Sequence, residues 1–133
     1  MYVLYLSPDN YTLEKTDDLK GLKNTDTATR LRDKTNRNVT VVSIGLGGER
    51  RWKSAAITCT DKDGHCSRHA ARGGLGSVMG AKGLKAIVID DKGAPRVPLK
   101  DKDLFRRTQK QFAELVKTDP QLQDMSTMGT PGI

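Results

Sequence analysis

The residues of this sequence that are best suited to chemistry are concentrated between Arg50 and Lys85. This stretch holds eight basic and two acidic residues, and so carries six of the seven net positive charges of the 133-residue chain. Nine of the 13 glycines lie between Gly45 and Gly83. Basic side chains beside backbone without Cβ atoms favour an anion site, because N–H groups can approach phosphate closely. A solvated basic face explains the same composition, and the composition alone leaves both interpretations open.

A glycine-rich segment, Gly74–Lys82 (GLGSVMGAK), is the first candidate for holding an anion. It is not a nucleotide-hydrolysing P-loop, because the spacing is wrong and Lys82 is followed by neither Ser nor Thr. The segment still predicts a phosphate site at the start of a helix, formed by the Arg72 side chain and by backbone N–H groups. The N–H groups expected to take part are those of Gly73, Gly74 and Gly76. Close helix-to-sheet packing explains the same glycines and is compatible with such a site.

Two other patterns are weaker indications of chemistry. Gly45–Gly48 (GLGG) lacks the third glycine of a dinucleotide-binding fingerprint, and a tight turn between strands is predicted there instead. Two thiols and two imidazoles could form a tetrahedral zinc site, although the paired spacing usual for zinc ligands is absent. A cysteine on a strand is also commonly an ordinary small apolar residue. These four residues are Cys59, His65, Cys66 and His69.

Hydrolytic catalysis and nucleic-acid binding are less favoured by the same stretch. Ser67 lies near His65 and His69 in the sequence but has no Gly-x-Ser-x-Gly elbow, and no set of nucleophile, base and orienting group is readable. Trp52 is the only aromatic residue of the basic stretch, whereas platforms that stack nucleic-acid bases need several. Nucleic-acid binding therefore stays a minor alternative.

The elements that must position these residues follow from apolar periodicity and turn residues. Asn24 or Thr25 is expected to cap the first helix, and residues 121–125 are expected to add another helical turn or two. Residues 60–71 are predicted to form an irregular polar loop. The order β-β-α-β-β-α-β-α predicts an α+β fold with a mixed sheet. Predicted strands cover 2–6, 11–14, 38–44, 55–59 and 84–90, and predicted helices cover 26–34, 74–81 and 101–118.

Length and composition set the outer limits. A chain of 133 residues is predicted to form a single domain over 1–133, with residues 119–133 as a flexible tail whose last part, 126–133, carries no core. The sequence has no apolar run of membrane-spanning length, and its start lacks the features of a secretory signal. Two cysteines do not make a disulfide framework, so a cytoplasmic location and reduced thiols are expected.

Specific motifs in the middle of the chain give the sequence a family resemblance. It resembles the tungsten-containing aldehyde ferredoxin oxidoreductases, whose members carry an Ile-Gly-x-x-Gly-Glu turn, an Ala-Ala-Ile strand and a long glycine-rich motif. The first two are Ile44–Glu49 and Ala55–Ile57 in this sequence. The third, Arg-x-x-x-Arg-Gly-Gly-Leu-Gly-x-Val-Met-Gly-x-Lys-x-Leu-Lys-Ala-Ile, runs from Arg68 to Ile87. The flanks agree more loosely and include a Gly-Thr-Pro-Gly segment near the C-terminus.

The resemblance implies a fold, a cofactor and a set of binding residues. This chain would be the second half of the family's N-terminal pterin-binding domain, which consists of two similar α+β halves. The family's cofactor is a tungsten (or molybdenum) ion held by two pyranopterins, with magnesium between their phosphates, and it supplies the redox chemistry. By residue match, one continuous segment would face the pterin phosphates: Arg68, the backbone of His69 and Ala71, Arg72, Gly73, Gly74, Leu75 and Gly76.

The resemblance also implies an activity that this chain would not perform alone. Family members oxidise an aldehyde with water to a carboxylic acid and pass two electrons through a 4Fe-4S cluster to ferredoxin. The cysteines that hold the cluster and half of the cofactor bed have no counterpart here. The expected partners are therefore the rest of the enzyme or a companion subunit, ferredoxin indirectly, and in another arrangement a second copy of the chain. The alternative is a non-catalytic module that binds a phosphorylated ligand or nucleic acid. Cys59 and His69 depart from the family's usual residues.

Overall fold

The computed structural model describes residues 1–129 and shows two compact units, Met1–Ala94 and Pro95–Ile133. The strands of the first unit are β1 (Tyr2–Leu6), β2 (Tyr11–Lys15), β3 (Thr40–Ser43), β4 (Ile57–Cys59), β5 (Arg68–Ala70) and β6 (Leu84–Ile89). Its α-helices are α1 (Asn24–Lys34), α2 (Leu46–Glu49) and α3 (Leu75–Ala81), and a 3-10 turn covers Arg72–Gly74. The second unit contains α4 (Lys102–Thr118) and α5 (Pro120–Met128).

The six strands of the first unit form one mixed sheet in the order β2-β1-β6-β3-β4-β5. Strands β1 and β6 run parallel, whereas every other neighbouring pair runs antiparallel. The turn between β1 and β2 is closed by a hydrogen bond of 2.9 Å from the Ser7 N–H to the Asn10 carbonyl. This architecture confirms the α+β fold with a mixed sheet that the sequence predicts.

The hydrophobic core lies between α1 and the central strands. Ala28 and Leu31 of α1 are buried together with Val3, Val41 and Val88, which come from the three adjacent strands β1, β3 and β6. Burying a Val or Leu side chain contributes about 1.5–3 kcal/mol, so this cluster stabilises the middle of the sheet. Strand β5 lies at the opposite edge from β2 and, within the described residues, pairs only with β4, so it is outside this cluster.

Three local predictions are wrong in their details. The predicted loop over 60–71 contains the edge strand β5, whose three exposed residues carry no apolar pattern and are ordered by pairing with β4. The predicted turn at Gly45–Gly48 is instead mostly one turn of helix, because α2 covers Leu46–Glu49 and Gly45 is its N-cap. The first helix begins after Lys23, which makes no side-chain capping bond, and the Asn24 amide bonds to Thr58 instead of capping.

The two helices of the second unit confirm the predicted helix over 101–118 and the further turns after it. The Asp101 side chain caps α4 by accepting hydrogen bonds from two backbone N–H groups, at 3.1 and 2.8 Å. Asp119 separates the helices and caps α5, in which Pro120 is the first residue. Helix α5 occupies much of the segment 119–133, whose predicted flexibility stays a prediction. Of the Gly-Thr-Pro-Gly segment, residues 130–132 lie outside the described residues.

Candidate functional site

The predicted binding segment follows the edge strand β5 into the start of α3. Arg68 and His69 lie on β5, Arg72 begins the 3-10 turn, and Leu75 begins α3. Most of the segment is exposed, namely Arg68, His69, Ala71, Arg72, Gly73 and Leu75, whereas Gly74 and Gly76 are buried. The structure therefore separates the predicted residues into an exposed group that a ligand can reach and two buried glycines.

Arg68 and Arg72 are the charged side chains of this segment. Neither guanidinium lies within 4.0 Å of a carboxylate oxygen anywhere in residues 1–129. Guanidinium groups bind phosphate and carboxylate oxygens in a planar, bidentate geometry. Arg68 at the start of β5 and Arg72 at the start of the next turn are exposed and have no acidic partner in residues 1–129. They leave this end of the sheet with positive charge that the described chain does not neutralise.

The two glycines after Arg72 give the turn its shape. Gly73 has φ of +77°, and a Cβ atom placed on it would meet nothing within 4 Å, so its backbone is open to a ligand. Gly74 has φ of +65°, and a Cβ atom there would collide with the carbonyl oxygen of Lys53. Both residues adopt left-handed backbone geometry, which glycine does without steric cost. The turn is thus open on one side and packed against the 53–56 segment on the other.

Gly76 serves packing in this structure. Its N–H donates a hydrogen bond of 2.9 Å to the Ala55 carbonyl, so this group is not free for a phosphate. A Cβ atom on Gly76 would lie 2.5 Å from the Ala56 carbonyl oxygen. Gly80, one turn further along α3, approaches the Gly48 carbonyl of α2 in the same way. The glycine-rich motif therefore owes part of its composition to close packing of α3.

The eight basic residues of the Arg50–Lys85 stretch do not form one cluster. Lys62 pairs with Asp63 at 2.9 Å, and the Arg50 guanidinium lies 5.7 Å from the centre of the Trp52 ring. Lys85 is completely buried. Six of the eight are exposed and form no salt bridge within residues 1–129, namely Arg50, Arg51, Lys53, Arg68, Arg72 and Lys82.

Lys85 belongs to a buried ion pair that sequence reasoning did not find. Its Nζ lies 2.5 Å from Glu49 Oε1 and 2.9 Å from the Leu22 carbonyl oxygen. The two Glu49 oxygens also accept from the Gly21 N–H, at 3.1 and 3.0 Å. On β1, Tyr2 faces Leu84 and Val3 faces Ala86, so Lys85 has no partner on that strand. Lys85 is therefore the extra residue of a β-bulge. The only available signal was a lysine within an otherwise apolar strand.

The loop between β4 and β5 is organised by Asp61. Its carboxylate accepts hydrogen bonds from the Ser67 hydroxyl at 2.7 Å, the His65 N–H at 2.9 Å and the Asp63 N–H at 3.0 Å. These bonds, the one from Ser67 above all, lower the pKa of Asp61 to about 2. Burial raises the pKa of the Cys66 thiol, which packs against the core. Within residues 1–129, no three His, Cys, Asp or Glu side chains are arranged to hold a metal ion.

The sequence profile of a known family matches residues 1–91 of this chain. That family is described as aldehyde ferredoxin oxidoreductase, N-terminal domain. The chain belongs to the aldehyde ferredoxin oxidoreductase family. The match covers the whole mixed sheet and the Arg68–Leu75 segment, so the family resemblance of the sequence motifs is confirmed.

Individual relatives agree with this assignment. The tungsten-containing aldehyde ferredoxin oxidoreductases of Pyrococcus abyssi and Pyrococcus furiosus are 35% and 34% identical to it over 118 residues. Each alignment covers 88% of this chain and 18% of the relative, so the chain spans less than a fifth of their length. The solved active-site complex BamBC of benzoyl coenzyme A reductase, with 1,5-dienoyl-CoA, matches 88% of this chain and 17% of that one, with a TM-score of 0.78 and 28% identity. Among the described helices, none is long and apolar enough to cross a membrane.

Proposed function

We propose that this chain is the part of a tungsten- or molybdenum-pterin oxidoreductase that contributes to binding the pterin phosphates. The observation that carries the proposal is the pair of exposed arginines, Arg68 and Arg72, which have no acidic partner in residues 1–129 and precede a turn with open backbone at Gly73. Family membership supports pterin phosphate as the anion, because relatives of the chain are tungsten-containing oxidoreductases.

The residues present fit a phosphorylated ligand. Arg68 and Arg72 would donate charge-assisted hydrogen bonds to phosphate oxygens. The backbone at His69, Ala71 and Gly73 would approach the same group, because no Cβ of Gly73 intervenes. The packing of Gly74 and Gly76 would fix the shape of the turn, and the exposed Leu75 would lie beside the ligand. Magnesium between two such phosphates is part of the proposal, with no ligand assigned to it in this chain.

When bound, the metal–pterin group would supply the two-electron oxidation of an aldehyde and water to a carboxylic acid. The chain's own contribution would be to bind and orient the cofactor through its phosphates. The remainder of the cofactor bed, the 4Fe-4S cluster and the contact with ferredoxin would be provided by the rest of the enzyme or by a companion subunit. A chain spanning 18% of its relatives' length agrees with this division of labour.

Metal and pterin analysis tests the proposal. The 133-residue chain, purified together with the proteins encoded beside it, is expected to contain tungsten or molybdenum and pterin. Replacing both arginines by alanine is expected to lower the pterin content of the complex. The purified chain by itself is expected to reduce no dye with an aldehyde as donor. A complex free of metal and pterin would contradict the proposal, as would unchanged pterin content in the double variant.

A non-catalytic module for phosphorylated ligands or nucleic acid is the second candidate, and the same unpaired arginines favour it. Titration with pyrophosphate and with an oligonucleotide at two salt concentrations separates the candidates. Nucleic-acid binding gives an affinity that falls steeply with salt, because each neutralised phosphate releases counterions. Tight oligonucleotide binding with a steep salt dependence and weak pyrophosphate binding would favour the module.

A further inference from the structure

A row of polar side chains crosses the sheet next to the proposed site. Ser43 of β3 faces Thr58 of β4, and Thr58 faces His69 of β5. Directly opposed residues of antiparallel strands project from the same face, so these three side chains share one face of the sheet. Ser43 is 0% exposed and Thr58 is 2% exposed, whereas His69 lies at the exposed edge. The row therefore leads from the buried sheet to the segment of the two arginines.

The Thr58 hydroxyl stands between two side chains. The Asn24 amide donates a hydrogen bond from Nδ2 to Thr58 Oγ1. On the other side, Thr58 Oγ1 lies 3.3 Å from His69 Nδ1. Because Thr58 is buried, leaving its hydroxyl proton without an acceptor would cost about 1–3 kcal/mol. His69 Nδ1 can accept that proton only when the nitrogen carries no hydrogen.

The direction of this chain of hydrogen bonds is set by the Asn24 amide. Its nitrogen, Nδ2, is the donor to Thr58. Its oxygen, Oδ1, lies beside Gly45, where an added Cβ atom would be 3.0 Å from it, and is a buried atom without a hydrogen-bond partner in residues 1–129. The reverse direction would place the amide oxygen against Thr58 and put the His69 proton on Nδ1.

We propose that His69 is a positioning residue of the pterin-phosphate site. The chain Asn24–Thr58–His69 fixes the imidazole as the Nε2–H tautomer. It also anchors β5, which has three residues and pairs with one neighbour only. This anchoring holds Arg68, on β5, and Arg72, just after it, in place for an anion. The identity of the ligand rests on the proposed function, whereas the tautomer and the anchoring do not.

Two variants of Thr58 test the anchoring. Thr58→Val keeps the side-chain shape and removes the hydroxyl, and Thr58→Ser keeps the hydroxyl. In 15N NMR spectra of the histidine rings, the wild type and Thr58→Ser are expected to show His69 with a bare Nδ1 and a protonated Nε2. Thr58→Val is expected to show a mixture of His69 tautomers. Its amide hydrogen exchange in β5 is expected to be faster by about 3- to 10-fold, because that factor corresponds to the free energy of one hydrogen bond. The same factor is expected for the loss of pyrophosphate affinity.

His69→Ala serves as a second variant, since it changes an exposed residue and leaves the buried side chains intact. Its amide exchange in β5 and its pyrophosphate affinity are expected to match those of Thr58→Val. The double variant is expected to bind pyrophosphate no more weakly than either single variant. An Nδ1–H tautomer in the wild type would overturn the proposal. So would equal exchange rates in the Val and Ser variants. A wild type that does not bind pyrophosphate would defeat the proposed function alone, while the tautomer and exchange data would still decide the role of His69.

Discussion

The buried ion pair of Lys85 and Glu49 gives the sharpest prediction about stability. At 2.5 Å between Nζ and Oε1, the attraction is about 7 kcal/mol at an effective dielectric constant of about 20. Most of this attraction offsets the cost of removing both charges from water. Removing one partner therefore leaves a buried charge without compensation, which costs about 3–5 kcal/mol. Glu49→Gln and Lys85→Met are each expected to lower the free energy of unfolding by that amount.

The double variant separates an ion pair from two independent side chains. Replacing both residues with apolar ones, as in Lys85→Met with Glu49→Leu, removes both desolvation costs along with the attraction. Its loss is expected to be about 1–2 kcal/mol, mainly because the Leu22 carbonyl and the Gly21 N–H lose partners. The losses of Lys85→Met alone and Glu49→Leu alone, about 3–5 kcal/mol each, therefore do not add, and the coupling energy is expected to be about 4 kcal/mol or more.

Urea unfolding followed by the fluorescence of Trp52, the only tryptophan, measures these losses in the first unit. With a slope of about 2 kcal/mol per molar urea, a loss of 3–5 kcal/mol moves the midpoint by about 1.5–2.5 M. Lys62→Met is a matched control, because Lys62 forms an exposed pair that is worth about 0–1 kcal/mol. Additive losses in the double variant, or a Glu49→Gln loss below about 1 kcal/mol, would refute the reasoning.

Two further predictions concern the elements beside the site. Gly76→Ala is expected to cost about 3 kcal/mol in urea unfolding, because its Cβ would lie 2.5 Å from the Ala56 carbonyl oxygen, and to cost more than Gly73→Ala, which meets open space and costs about 1–2 kcal/mol of backbone strain alone. Equal costs would contradict the packing argument. The pKa of Asp61 is lowered to about 2, so the bonds that it accepts are fully present above pH 4 and are lost as the pH falls through about 2. Amide protection of His65, followed by NMR, should persist at pH 4, and its loss there would contradict the assignment.

The parts of the fold that were predictable from the sequence are those whose pattern is local. Strand β6 and helix α4 have the apolar runs and the capping residue that define them without help from the rest of the chain. Strand β5 was missed because three exposed residues carry no periodic signal, and only pairing with β4 gives them strand geometry. The predicted cap of α1 was wrong for a similar reason, because the Asn24 side chain donates a hydrogen bond to Thr58, 34 residues away.

The residues of the candidate site stay a prediction from the sequence, and their division into exposed and buried groups comes from the structure. Charge and glycine content pointed to the segment around Arg72, and the structure leaves its arginines exposed and unpaired within residues 1–129. The same content also counted Lys85 with the exposed basic residues, although its side chain is completely buried and paired with Glu49. The bond between Thr58 and His69 depends on strand register, which a single sequence does not reveal.

Calorimetric titration of pyrophosphate into the 133-residue chain tests the central claim, that the Arg68–Gly73 segment binds a phosphorylated ligand. Arg72→Ala removes one guanidinium, and a charge-assisted hydrogen bond is worth about 1.5–3 kcal/mol, so the affinity should fall by about 10- to 100-fold. Arg106→Ala is the matched control, because it removes the same charge from an exposed position of α4. The account predicts a large loss for Arg72→Ala and unchanged affinity for Arg106→Ala. Equal affinities in the wild type and both variants would contradict it.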